Sequence, residues 1–212
     1  SDTVYIGTIP VINSQDAKIY KLTGNTLTDV SNGQIPNRYP TDIHVNPNNS
    51  MIVYATFGGF GTGHVYRTTN GGANWVSVNA TPIPGTLDLH SIYAIDANTA
   101  LVAGSGTSSF LFRTSNGGVN WTQVFTETGG FINSVQMGNA FAGFMMGDPV
   151  GGRWSLWGTT NAGLTWDSTN FYLPQAGSDA GWNNSFFFDV SAGVWFGTNN
   201  TKVYKSLTLV NW

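Results

Sequence analysis

The sequence contains no cysteine, so disulfides and thiolate metal sites are excluded from its fold and function. Charged residues make up only 9% of the 212 residues, against about 25% in an ordinary soluble domain. The eight Lys and Arg residues are scattered and the net charge is -3, so we expect no nucleic-acid partner. No apolar run approaches the ~20 residues of a membrane span, so we expect no membrane insertion.

The sequence also lacks any sustained apolar period of 3.6 residues, which argues against long helices. What it has instead is 27 glycines, many Asn and Thr residues, and short runs rich in β-branched and aromatic side chains. This composition is typical of a protein made of strands and tight turns.

One stretch recurs along the chain. Residues 65–78 read VYRTTNGGANWVSV, residues 111–124 read LFRTSNGGVNWTQV, and residues 156–169 read LWGTTNAGLTWDST. Trp75, Trp121, Trp166 and Trp212 mark the same position of the repeat, at spacings of 46, 45 and 46 residues. A period of this length carried by short β-type segments predicts a radially repeated all-β architecture.

The repeated stretch predicts a hairpin whose corner is held by its own side chains. Asn tolerates positive φ and accepts hydrogen bonds from the turn backbone, while Gly adopts left-handed conformations without steric cost. We therefore predict structural corners with Thr, Asn, Gly and Trp at fixed offsets. They are Thr68, Asn70, Gly72 and Trp75; Thr114, Asn116, Gly118 and Trp121; and Thr159, Asn161, Gly163 and Trp166.

These corners resemble the Asp-box, or BNR, repeat of the sialidase-like propellers, with Asn where that family usually has Asp. Asn can accept the same turn hydrogen bonds but carries no charge, so no bound cation is expected there. Two degenerate copies, at residues 19–30 and 203–212, flank the three good ones. The resemblance implies a β-propeller in which the corners are structural.

Two further strand-like runs lie between successive hairpins, which gives four strands per unit, the composition of a propeller blade. We predict an all-β fold, a single β-propeller domain over residues 1–212 with about five four-stranded blades. The blades are expected at about residues 1–33, 34–80, 81–126, 127–170 and 171–212, the last ending in a short strand over residues 209–212.

The first predicted blade lacks its innermost strand, because no run before residues 4–6 supplies one. Its unpaired edge makes self-association through the first blade a further prediction. The chain is then either a tight five-bladed ring or, as the sequence slightly favours, a piece of a longer propeller.

A binding site is expected on the face opposite the corners, where the loops between strands two and three and between blades gather. Two loops there, residues 147–154 and 170–184, combine aromatic and charged residues, which suit a glycan or protein partner. A plainer alternative is that the tryptophans pack the loops and that Asp148 pairs with Arg153. The predicted ligand-binding residues are Asp148, Arg153, Trp154, Tyr172, Asp179 and Trp182.

Glycoside hydrolysis is the main competing hypothesis. A sialidase needs an arginine trio, but Arg67 and Arg113 share one repeat position with Lys21 and are predicted to be structural, which leaves only Arg38 and Arg153. A xyloglucanase-type enzyme needs two facing carboxylates. The loop candidates are Asp42, Asp88, Glu127, Asp148 and Asp179, and the sequence pairs none of them.

No metal or cofactor is predicted. His44, His64 and His90 lie on different elements without the short spacing of metal ligands, so each is expected in the core or at the surface.

The runs Ser134-Val135-Gln136 and Phe144-Met145-Met146-Gly147 resemble the propeller of the photosystem II assembly-factor family and repeat domains of large secreted bacterial proteins. Both resemblances imply binding or scaffold roles. The photosystem factors use a basic patch that this chain lacks, which favours the secreted type. We therefore expect a non-catalytic, extracellular or cell-surface module that binds a glycan or a protein, with a purely architectural role as a further alternative.

Overall fold

The fold is a β-propeller arc of five antiparallel sheets, as the sequence predicted. The structure is a computed structural model that describes residues 3–9, 16–59, 63–78, 82–209 and 211–212. These residues form seventeen strands and no helix, so no helix in the described ranges is long or apolar enough to cross a membrane. Each sheet consists of strands that follow one another along the chain, which is the blade order of a propeller.

The strands are assigned to blades as follows. Blade 1 contains β1 (Thr3–Gly7), β2 (Ile19–Thr23) and β3 (Thr26–Asp29); blade 2 contains β4 (Pro40–Val45), β5 (Val53–Phe57), β6 (Val65–Thr68) and β7 (Val76–Ser77). Blade 3 contains β8 (Asp88–Ala94), β9 (Ala100–Ser105), β10 (Ser108–Thr114) and β11 (Thr122–Thr128). Blade 4 contains β12 (Ile132–Met137), β13 (Gly143–Val150) and β14 (Arg153–Thr159); blade 5 contains β15 (Gly181–Asp189), β16 (Gly193–Thr198) and β17 (Val203–Ser206).

Blades 4 and 5 differ from the prediction because no fourth strand forms in their described residues. In blade 4 the chain makes a single bridge, between Gly158 and Asp167, and then turns. The following connection runs back along the start of β14, where Pro174 bridges Arg153 and occupies the outer edge of the sheet. The strand predicted over residues 209–212 falls partly on residue 210, outside the described residues, and its other positions carry no strand.

The innermost strands of blades 2 to 5 are joined to one another by hydrogen bonds between side chains of one strand and backbone groups of the next. On β4, Asp42 Oδ2 accepts from the Ile92 backbone N–H at 2.8 Å, and His44 Nδ1 accepts from the Ala94 N–H at 3.1 Å. In the next gap Tyr93 Oη donates to the Met137 carbonyl at 2.8 Å.

The same device continues into blade 5. Gln136 Nε2 donates to the Phe186 carbonyl at 2.8 Å, and its Oε1 accepts from the Phe188 N–H at 3.0 Å. Asn184 Nδ2 then reaches the Thr41 carbonyl of blade 2 at 3.1 Å, which joins the last innermost strand to the first. These bonds fix where each innermost strand begins, and so they position the face opposite the corners, which we call the loop face.

Asp42 and His44 should make opposite contributions to the pH dependence of stability. Burial raises the pKa of Asp42 to about 6 and lowers that of His44 to about 4. The Asp42 contribution is complete below its unfolded pKa of 3.8 and is lost as the pH rises through about 6. The His44 contribution is complete above its unfolded pKa of 6.5 and is lost as the pH falls through about 4.

Between pH ~4 and ~6.5 the contributions of Asp42 and His44 to the unfolding free energy change in opposite directions. Replacing one of the two residues should therefore reveal the pH dependence that the other produces. Relative to the unsubstituted chain, Asp42→Asn should lose about 2–3 kcal/mol of unfolding free energy as the pH falls across this range, and His44→Asn should gain a similar amount. Urea unfolding of the unsubstituted chain and the two variants across this range gives the differences in unfolding free energy. His90 also has a lowered pKa, but its contribution cancels in these differences because all three proteins retain it. Parallel pH profiles would contradict the assigned burial.

Each of the three full corners is held by one buried threonine. Thr114 Oγ1 accepts from the N–H groups of Asn116 and Gly118, at 3.3 and 2.9 Å, and donates to Asn116 Oδ1 at 3.0 Å. Asn116 Oδ1 also accepts from the Asn120 N–H at 2.9 Å, so Asn performs the turn bonding expected of it. Thr68 and Thr159 make the equivalent bonds in blades 2 and 4. We call the surface that carries these corners the corner face.

The corners also seal the gaps between blades. The Trp75 indole donates to the Val30 carbonyl of blade 1 at 2.8 Å, and the Trp121 indole donates to the Val78 carbonyl of blade 2 at 2.8 Å. The Trp166 indole instead donates to Gly163 within its own corner at 3.2 Å. The first two gaps are therefore closed by the corner tryptophan, whereas the later ones are closed differently.

A cation on the third strand of one blade reaches the next blade. Arg67 Nη2 donates to the Ala97 carbonyl at 2.7 Å, and Arg113 Nε donates to the Ala162 carbonyl at 2.8 Å. The ammonium of Lys21 lies beside Gly71, where an added Cβ would come within 2.8 Å of it. The prediction that these three cations are a repeated structural feature is confirmed.

The two end faces of the arc are apolar and exposed. On blade 1 the side chains of Val4, Ile6 and Leu27 are 42–55% exposed. On blade 5 those of Phe187 and Val203 are 54% and 71% exposed. Within the described ranges, blades 1 and 5 therefore do not pack against each other through these faces, and the five blades form an open arc.

Candidate functional site

The candidate site lies on the loop face, where the innermost strands β4, β8, β12 and β15 begin. We call it the axial mouth. It is formed by residues at or next to the start of these strands, several of which contact one another: Tyr39, Asp88, His90, Phe131, Asn133, Asp148, Trp182, Asn183 and Asn184.

Blade 5 contributes an arch at residues 182–184. The strand β15 pairs with β16 at Gly181 and again from Phe186 onward, so the residues between leave the ladder. Asn184 adopts a positive φ of 59°, and its amide holds the arch to Thr41. The ring of Trp182 remains 59% exposed. The arch therefore presents an aromatic ring beside two exposed amide side chains.

Asp148 supports this arch from blade 4. Its Oδ1 accepts from the Gly181 N–H at 2.8 Å, and Asn133 donates a further hydrogen bond to the carboxylate. Asn133 also reaches Asn183 Oδ1 at 3.4 Å. Burial raises the pKa of Asp148 above its ordinary value, while these donors act in the opposite direction. A half-buried carboxylate with two donors is suited to fixing the arch.

His90 and Phe131 form the adjacent wall. Their ring centroids are 4.2 Å apart, and His90 is only 5% exposed. Burial lowers the pKa of His90, although the nearby Asp88 carboxylate acts to raise it. His90 Nε2 and Asn133 Oδ1 are buried without a hydrogen-bond partner among the described residues. The mouth therefore contains polar atoms that a ligand or water could satisfy.

Blade 2 completes the mouth with Arg38 and Tyr39. Arg38 covers Gly59, and the Tyr39 ring covers Gly58, because an added Cβ at either glycine would overlap these side chains. The Gly59 N–H donates to Asp88 Oδ1 at 3.3 Å, and Tyr39 is 42% exposed. The small residues at 58 and 59 thus allow an aromatic ring and a cation to pack against the backbone segment that bonds Asp88.

The six residues predicted to bind a ligand do not form one cluster. Asp148 and Trp182 lie at the axial mouth. Arg153 and Tyr172 lie at the outer rim of blade 4, with the guanidinium 5.9 Å from the tyrosine ring centroid and Nη2 donating to Phe171. Tyr172 is 62% exposed, so the rim pair is accessible but separate from the mouth.

Trp154 and Asp179 do not face solvent, which corrects their assignment to a ligand-binding surface. Trp154 is fully buried against Phe196 and Tyr204, with centroid distances of 4.8 and 5.7 Å. Asp179 is also fully buried and bonds Lys202 at 2.9 Å and the Tyr204 hydroxyl at 2.8 Å. Both side chains hold the outer part of blade 5 to its neighbours, and we leave them out of the proposed contact set.

The predicted loop over residues 147–154 is mostly strand. β13 continues to Val150 and β14 begins at Arg153, joined by a two-residue turn. Gly151 and Gly152 have φ values of 63° and 83°, the conformation that closes a tight hairpin. Asp148 and Trp154 therefore lie on strands, where the alternation of side chains sends Trp154 into the core.

Sequence reasoning missed several residues of the mouth. Tyr39, His90, Phe131 and Asn133 carry no local motif, because they meet only after the strands converge. The one signal available was their common position at or just before an innermost strand.

No protein-family model and no curated protein sequence matches the chain. Among solved structures, the GH74 xyloglucanase from Xanthomonas campestris is similar at a TM-score of 0.72 and 14% identity, over 99% of this chain and 36% of that one. YCF48 bound to D1 peptide is similar at 0.61 and 17% identity, over 95% and 59% of the two chains. The extracellular domain of BT4673 from B. thetaiotaomicron is similar at 0.65 and 16% identity, over 97% and 26%.

These similarities show the propeller fold alone, because all three identities are low. The chain spans between about a quarter and three fifths of the length of these structures.

Proposed function

We propose that the chain is a non-catalytic, extracellular or cell-surface propeller module that binds a glycan or protein partner at the axial mouth. The observation that carries the proposal is the arch of blade 5, which holds Trp182 59% exposed beside Asn183 and Asn184. Large aromatic rings cost free energy when left in water, and a ring held on a bonded arch is available for stacking.

The partner chemistry follows from the same groups. A flat ring stacks on the apolar face of a sugar or on an apolar peptide side chain, and the amides bond to hydroxyls or peptide groups. The neighbouring structures support both classes, since one acts on xyloglucan and another is bound to a peptide. The extracellular domain of BT4673 supports the proposed location.

Each carboxylate named as a catalytic candidate accepts a hydrogen bond from the protein, which supports a structural role for these groups. Asp42 bonds Ile92, and Asp88 bonds Gly59. The remaining three bonds are those of Glu127 Oε2 with Ser155 at 2.7 Å, Asp148 with Gly181, and Asp179 with Lys202.

Trp182→Ala tests the proposal. Against a glycan array and a peptide library, we expect the variant to bind whichever partner the unsubstituted chain selects at least about tenfold more weakly. Phe141→Ala is the matched control, because Phe141 is 66% exposed in the turn between β12 and β13 on the corner face. Equal binding by the Trp182 variant would remove the axial mouth as the site.

Glycoside hydrolysis is the second candidate, favoured by the GH74 structures. It predicts turnover of xyloglucan by the unsubstituted chain and loss of that turnover in Asp148→Asn. Such a result replaces the binding proposal. An architectural role remains the third candidate, and the exposed end faces favour it; self-association through blade 1 would then appear in sedimentation as an oligomer dispersed by Ile6→Lys.

A further inference from the structure

The gap between blades 4 and 5 on the corner face is built differently from the gaps before it. In the earlier gaps a third-strand cation reaches the next blade, and the next corner packs against the blade before it. At the fourth gap the cation position is Gly158, and the last corner has Leu207, Thr208 and Leu209 in place of an Asn-Gly turn. The gap between blades 4 and 5 therefore lacks both the cation and the Asn-Gly corner that occupy the earlier gaps.

A cavity of about 410 Å³ occupies this gap. Apolar side chains, including those of Phe144, Phe171, Phe188 and Leu209, form much of its wall. The volume lies within the range of about 300–1,000 Å³ found for small-ligand pockets. The cavity opens on the corner face, so it is distinct from the axial mouth.

Two carboxylates line the same cavity, Asp167 from blade 4 and Asp189 from blade 5. The hydrogen bonds that cap their turns fall on Oδ1, from Thr169 in one case and from Ser191 in the other. These donors lower the pKa of both carboxyl groups, so both are ionised at neutral pH. No Lys, Arg or His is among the described residues of the cavity wall.

We propose that this cavity binds an organic cation, an ammonium, amidinium or guanidinium group carried on an apolar body. The aromatic and leucine side chains would receive the body, and the two carboxylates would receive the charged head. The bound cation would then occupy the place that the side chains of Lys21, Arg67 and Arg113 occupy in the other gaps. The same chemistry could come from a free small molecule or from an Arg or Lys side chain of a partner.

Benzamidine, with its neutral isostere benzamide, is the probe. Titration calorimetry should give at least about tenfold tighter binding for benzamidine, and a decline in affinity as salt is added. Equal affinity for the two compounds, or binding of neither, overturns the proposal. Trp182→Ala should leave benzamidine binding unchanged, which separates this site from the axial mouth.

The double variant Asp167→Asn with Asp189→Asn tests the carboxylates and should weaken benzamidine binding at least about tenfold. Asp96→Asn is the matched control for the Asp189 change, since Asp96 Oδ1 caps the turn of blade 3 that corresponds to the Asp189 turn, through the Asn98 and Thr99 N–H groups. Asn already performs this function in blades 2 and 4, at Asn46 and Asn139, so the Asp189 turn tolerates the change. Unchanged binding by the double variant overturns the proposal.

A second comparison separates the two sources of the cation. Agmatine represents a free guanidinium compound, and a blocked Gly-Arg-Gly peptide represents a partner side chain. Binding of agmatine with no binding of the peptide assigns the site to small molecules, whereas peptide binding of equal or greater strength assigns it to a partner. Gly158→Arg restores the missing cation from within the chain and should prevent binding of either probe.

Discussion

Replacing Trp154 by alanine is expected to lower the free energy of unfolding by about 3–5 kcal/mol. The side chain is fully buried, and it packs on Phe196 and Tyr204 between blades 4 and 5. Truncation removes the largest fully buried side chain and leaves a cavity that the strands on either side cannot close.

The matched control is Trp182→Ala, because the same change at a ring 59% exposed should alter unfolding free energy by less than about 1 kcal/mol. Urea unfolding followed by far-UV circular dichroism gives both values. A ligand-contacting Trp154 would give the reverse pattern, with little loss of stability and a loss of binding. Equal small losses in the two variants would contradict the burial on which this assignment rests.

Trp154 also shows where sequence reasoning fails. The acid, base and Trp of residues 147–154 suggested a binding loop, but Gly151 and Gly152 form a two-residue turn that extends both strands. The pair of glycines was visible in the sequence. Which way the next side chain points depends on strand register, and pairing with the neighbouring strand sets that register.

The repeat itself was predictable because its physics is local. Thr114, Asn116 and Gly118 lie within five residues, and their mutual hydrogen bonds close the corner without help from other blades. The period of the tryptophans then predicts the number of sheets. The absence of a fourth strand from the described residues of blade 4 was not predictable, because the bridge from Pro174 to Arg153 joins residues that the repeat pattern does not pair.

The axial mouth, in contrast, could not be predicted from local sequence. His90 packs on Phe131 across a blade boundary, and Asn184 bonds Thr41 over 143 residues of sequence. No spacing along the chain predicts either contact. Two of the predicted residues, Tyr172 and Trp182, are exposed aromatics identified from loop composition, whereas their separation into a rim and a mouth required the fold.

The two proposed sites rest on different parts of the repeat. The axial mouth depends on side chains that join innermost strands, while the corner-face cavity depends on a repeat position that has lost its cation and its corner. Since corner and loop faces are opposite ends of the same sheets, a ligand at one should not compete sterically with a ligand at the other. Each binding experiment therefore remains interpretable if the other fails.

Gly118→Ala is expected to cost about 2–4 kcal/mol of unfolding free energy, from two causes. Its φ is +88°, which is strained for any residue with a Cβ. An added Cβ would also come within 2.6 Å of the Val78 Cβ, on the blade before. The second cause is the packing of one blade's corner into its neighbour.

Gly129→Ala separates the two causes. Gly129 has a φ of +71° with nothing within 4 Å of an added Cβ, so only the backbone strain of about 1 kcal/mol applies. A Val78→Gly background should reduce the cost of Gly118→Ala to a similar value, because the opposing Cβ and both methyl groups are gone. Urea unfolding of the four single and double variants gives the coupling energy. If Gly118→Ala costs no more than Gly129→Ala and is indifferent to Val78, the corners do not wedge the blades together, and a lost corner then no longer explains the cavity between blades 4 and 5.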